Sequence, residues 1–64
     1  MEIKLKRDWR GNYKGMEITG QEHEVEDVGM YKNIIEMYMK ENDIEKIEGN
    51  SGFDLANRLR RGDY

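Results

Sequence analysis

The chain has 64 residues, 39% of them charged, with a net charge of −3, one histidine and no cysteine. A chain this short makes one domain, residues 1–64, with a small core and marginal stability. Its composition excludes disulfides and thiolate metal sites, and a single imidazole removes most zinc arrangements. No apolar run approaches the roughly 20 residues that span a bilayer, and MEIKLKRD lacks a signal-peptide core, so no membrane partner is expected.

High charge alone would suggest disorder, but the apolar residues are patterned as in folded chains. Met1, Ile3, Leu5 and Trp9 alternate with Glu2, Lys4, Lys6, Asp8 and Arg10, which predicts a strand with one buried face that includes Trp9. Arg10-Gly11-Asn12 supplies turn chemistry. A short extended piece is expected at 15–19, a turn at Gly20-Gln21, and a strand at 22–26 with His23 and Val25 inward and the glutamates outward. Residues 1–15 are rich in bases and 17–27 hold only acids, so neighbouring strands would pair across a solvated face.

Asp27 is then the expected N-cap of a helix over 28–41, VGMYKNIIEMYMKE. At about 100° per residue its apolar members Val28, Met30, Tyr31, Ile34, Ile35, Met37, Tyr38 and Met39 fill an arc of roughly 200°. A surface helix needs only about 100°, so the surplus calls for a second partner. Asn42 suits a left-handed C′ position, with Ile44 folding back on the last turn. Ile44 and Ile47 suggest a short returning strand ended by Gly49-Asn50. Ser51 with Asp54 resembles a capping box for a helix over about 52–60, where Arg58, Arg60 and Arg61 suit the dipole and Gly62 the stop. The fold class is α+β: a small, mostly antiparallel sheet of three to four short strands, one main amphipathic helix packed on it, and a short C-terminal helix.

Catalytic templates fail in turn. Gly49-Asn50-Ser51-Gly52 lacks the lysine and spacing of a phosphate loop, and neither Ser51 nor Thr19 has a context that places it beside His23. Glu22, Glu24 and Glu26 on a strand would point away from His23, so they could not close on one ion. No enzyme, cofactor or metal is expected, and a chain this short argues against the concave site a small-molecule substrate needs. Binding surfaces are the remaining candidates. Met30, Met37 and Tyr38 on the helix edge, with Arg58, Arg60 and Arg61, are expected to meet a protein partner or a second copy. Lys4, Lys6, Arg7 and Arg10 could meet nucleic acid, although the net charge argues against it.

The order of MEIKLKRDW, RGNYKG, EHEVED, MYKNIIEMYMKE and DIEKIE over residues 1–48 resembles the small accessory proteins of tailed bacteriophages and prophages. The chain departs from that pattern at Asn42, where glycine is usual, and the tail from Gly49 onward has no counterpart. The resemblance implies protein–protein binding in head or head-to-tail assembly, in a virion or the host cytoplasm, with no catalytic residues carried over. Phages also encode small acidic inhibitors of host enzymes or defence systems, and the acidic stretch 17–27 could then mimic nucleic-acid phosphates.

Overall fold

A computed structural model describes residues 1–64. The opening alternation forms β1, Glu2–Arg7, and it is followed by β2, Tyr13–Thr19, α1, Glu22–Glu41, β3, Lys46–Glu48, and α2, Gly52–Arg61. The three strands form one antiparallel sheet in the order β2-β1-β3, so the first strand lies in the middle. Ile3 faces Ile18 on one side and Ile47 on the other, and Leu5 faces Met16. The ladder pairs Lys6 with Gly15 and then Arg7 with Tyr13, leaving Lys14 as a bulge beside Gly15, whose φ of +124° favours glycine.

β1 stops earlier than its alternation predicts. The Asp8 carboxylate accepts hydrogen bonds from the backbone N–H groups of Arg10 and Asn12, both at 2.9 Å, and the Asp8 carbonyl accepts from Gly11 N–H at 3.0 Å. This Asx-type turn outcompetes the ladder. Trp9, expected in the core, is therefore 86% exposed at the hairpin tip.

The larger correction lies at 22–26, which is helix and not strand. Gln21, not Asp27, is the N-cap, and its N–H donates to Glu24 Oε1 at 2.9 Å. Glu22 and Glu24 then sit in the first turn, where carboxylates favour the positive end of the helix. His23 is exposed and Val25 half-buried. Asp27 acts elsewhere: its Oδ2 accepts from Gly52 N–H at 2.6 Å, tying α1 to the start of α2.

α1 ends as its sequence suggests, displaced by one position. Asp43, at φ +54°, takes the left-handed conformation expected of Asn42, and Ile44 N–H donates to the Met39 carbonyl at 2.9 Å, the long bond of a Schellman ending. At α2, Ser51 Oγ accepts from Asp54 N–H at 3.0 Å, and Gly62 closes the helix at φ +74°.

Between sheet and helices lies one core: Ile3, Leu5, Val28, Ile35, Met39, Ile47, Leu55, Ala56 and Leu59. α1 and α2 touch closely at Gly52, where a Cβ would lie 2.9 Å from Val28 Cα and 3.0 Å from the Asp27 carbonyl. No helix is long and apolar enough to cross a membrane.

Candidate interaction surface

The core takes one side of α1, the side of Val28, Ile35 and Met39, and the rest of the apolar arc stays outside. Met30, Ile34 and Met37, spaced i, i+4 and i+7, share one line about 100–180° around the helix from the buried residues. They are 80%, 42% and 46% exposed respectively. Ile34 is an addition to the expected edge, since isoleucine on an apolar arc reads as core until the buried side is known. Tyr38 is only half-buried and packs against the core from the flank. Phe53, 60% exposed on α2, meets the Tyr31 ring edge-on with centroids 6.1 Å apart.

The three C-terminal arginines divide. Arg58 is half-buried and used internally: Nη1 donates to the Glu48 carbonyl at 2.6 Å and lies 3.7 Å from Asp54, while Nε donates to the Asp63 carbonyl at 3.3 Å. It joins the end of β3 to α2. Arg60 and Arg61 are exposed.

Much of the basic character of β1 is matched locally. Lys46 lies 3.2 Å from Glu2 and 3.7 Å from Glu48, Lys4 lies 3.6 Å from Glu2, and Lys4 stands opposite Glu17 in the ladder. Lys46 holds the Glu2 carboxyl below its usual range, with Lys4 adding to the effect. Arg7 grips Glu45 through Nε and Nη2, at 2.7 and 3.2 Å, and its Nη1 donates to the Gly11 carbonyl at 3.2 Å. The expected pairing of bases in 1–15 with acids in 17–27 is thus confined to Lys4 and Glu17 in the ladder, because the remaining acids belong to α1. Of the four bases weighed for nucleic acid, Lys6 and Arg10 are free of carboxylate partners, and the Arg10 guanidinium lies 4.6 Å over the Trp9 ring.

The acidic stretch is also partly committed. Glu24 Oε2 lies 3.3 Å from the Met1 amine, and Asp27 holds Gly52, leaving Glu17, Glu22 and Glu26 turned to solvent. On the opposite flank of α1, the Tyr13 hydroxyl donates to Glu36 Oε2, and Lys40 sits 4.5 Å over the Tyr13 ring. Burial, and next the Glu36 hydrogen bond, push the Tyr13 phenol up to about 12.

No three His, Asp or Glu side chains converge as metal ligands would. The largest depression, about 600 Å³, is wide open and lined by polar groups such as Glu2, Thr19, Asn50 and Asp54. What the surface offers is a line of apolar side chains on a rigid helix, which suits contact with another macromolecule. No protein-family model, curated protein or solved structure matches the chain.

Proposed function

We propose that the chain is a non-catalytic protein–protein interaction module that acts by self-association or by docking into a larger assembly. The observation that supports this is the exposed stripe of Met30, Ile34 and Met37 on the side of α1 away from the core. Removing such side chains from water contributes about 25 cal/mol per Å², and methionine adapts its shape to a partner. The resemblance over residues 1–48 favours phage or prophage head or head-to-tail assembly as the setting.

The test is Met30→Lys with Met37→Lys. Both side chains lie outside the core, so the helical circular dichroism and melting temperature stay close to those of the parent. The complex, whether of like chains or with an assembly partner, is lost in sedimentation analysis. Equal mass distributions and equal partner binding for parent and variant would refute the proposal.

A further inference from the structure

Besides Phe53 and Tyr64, the exposed apolar groups form the α1 stripe and the Trp9 hairpin tip, and the charged surroundings of these two have opposite sign. At about 100° per residue, Glu26 and Glu41 fall within about 40° of Met30, so each end of the stripe carries an exposed carboxylate. Lys40, the nearest cation on α1, is drawn over the Tyr13 ring. At the tip, Arg10 lies against the Trp9 ring, and exposed Lys6 and Lys14 stand beside the turn. The acid there, Asp8, is occupied by backbone N–H groups and by Asn12 Nδ2 at 3.3 Å.

The tip is also built to hold its shape. The Asp8 network closes the turn, the Arg7 guanidinium bonds the Gly11 carbonyl, and its two bonds to Glu45 fasten the hairpin to the loop before β3. An exposed tryptophan with an arginine on a preorganised turn has the composition of an interface anchor. Trp9 can lie on the methionines of the stripe, a favourable sulfur–aromatic contact, while Arg10 and Lys6 or Lys14 reach the flanking glutamates.

Stripe-to-stripe pairing of two copies is disfavoured by the same charges. An antiparallel arrangement that sets Met30 against Met37 of the second copy also sets Glu26 against Glu41 at both ends. A parallel one sets each glutamate against itself. Like charges so placed work against the contact.

We propose that the stripe receives the Trp9–Arg10 tip of a second copy of this chain, in a head-to-tail contact. This rests on the reading of the stripe as a contact surface and names its occupant. Because each copy carries both halves, two copies can exchange tips in a closed dimer, or the contact can continue into a larger ring or filament.

Trp9 is the single tryptophan of the chain and reports on its own burial. Two variants are needed: Trp9→Ala, which keeps the stripe and has no tryptophan, and Met30→Lys with Met37→Lys, which keeps the tip. Their altered side chains are exposed, so circular dichroism should show both folded. The parent should form a dimer or larger species as its concentration approaches about 1 mM, the range of weak contacts. Trp9 emission should shift to the blue over the same range and return as salt is raised. Each variant alone should stay monomeric, and their mixture should give a dimer that stops there, with the emission shift restored. A parent that stays monomeric throughout overturns the proposal and leaves docking to a different protein open. Trp9→Ala that associates like the parent, while the methionine variant does not, also overturns it and leaves the stripe as a contact surface. Emission that moves on adding single-stranded nucleic acid, with none from the mixture, overturns it in favour of a nucleic-acid contact at the tip.

Discussion

Replacing Gly52 by alanine should destabilise the fold, although alanine is the better helix former. The added Cβ would lie 2.9 Å from Val28 Cα, 3.0 Å from the Asp27 carbonyl oxygen and 3.1 Å from Tyr31 Cδ2. Two of these three neighbours are backbone of α1 and cannot rotate away, so the helices must separate. Separation also stretches the 2.6 Å bond from Gly52 N–H to Asp27. Overpacking of this kind costs about 1–3 kcal/mol, against a helix-propensity gain of at most about 1 kcal/mol. Gly52 is the first residue of α2, where that gain is smallest, so the net loss is about 1–3 kcal/mol, which for a domain of this size lowers Tm by roughly 4–24 °C. Gly29→Ala is the control, because nothing lies within 4 Å of its Cβ position. In the interior of an exposed helical face it should add about 0.5–1 kcal/mol. Thermal and urea unfolding followed by circular dichroism would compare the two. Gly52→Ala melting at or above the parent would refute the close approach of α1 and α2.

Two predictions concern titration. In an ultraviolet titration the Tyr13 phenol should ionise late, near 12 where 10.0 is ordinary. Because its folded value is raised, its stabilising effect is complete below 10.0 and is lost as pH climbs toward about 12. Tyr13→Phe should remove both the late titration and that alkaline loss, and a late phenol that persists in the variant would reassign it. At the acid end, Lys46 lowers Glu2, the Gln21 N–H and then the Met1 amine lower Glu24, Arg7 lowers Glu45, and the Asn12 N–H lowers Asp8. Groups lowered in the folded state stabilise it above their unfolded values, here 4.5 for glutamate and 3.8 for aspartate, and cease to do so as pH falls through the folded ones. Melting temperature should therefore fall with pH through that range, less steeply in Glu24→Gln, and equal slopes for parent and variant would contradict the assignment.

The core was legible wherever local pattern and tertiary packing agree. Ile3 and Leu5 on one strand face, the return of Ile44 onto the last turn of α1, and the Ser51 cap all follow from spacing and turn chemistry. The segment 22–26 misleads because EHEVE alternates like a strand, while the signal for helix is spread over two places. Glu24 reaches back to Gln21, and Val25 stands half-buried three residues before Val28, a helical spacing. Trp9 misleads in the opposite way, since its parity with Leu5 holds only while the ladder continues, and Asp8 ends it. The exposed stripe was half visible as an apolar arc too wide for one contact. Which edge of the arc stays outside depended on where α2 lies, and a helical period carries no information about that.

The position of β1 bears on how the fold is reached. Its pairing with β2 closes a short hairpin, but its pairing with β3 joins Glu2 to Glu48, more than two-thirds of the chain apart. Loops of such different length close at different entropic expense, and long-range pairing is the slower event. The hairpin and α1 can therefore form before the second edge of β1 is covered. Until then that edge presents Ile3 and Leu5 with unpaired backbone groups, the kind of template that captures stray strands. The final step is small, three residues of β3 fastened by Arg58 to the Glu48 carbonyl and by reciprocal bonds between Met1 and Gly49. The lifetime of the uncovered edge would then be set by how soon Lys46–Glu48 dock on β1, with Arg58 and Gly49 holding them in place.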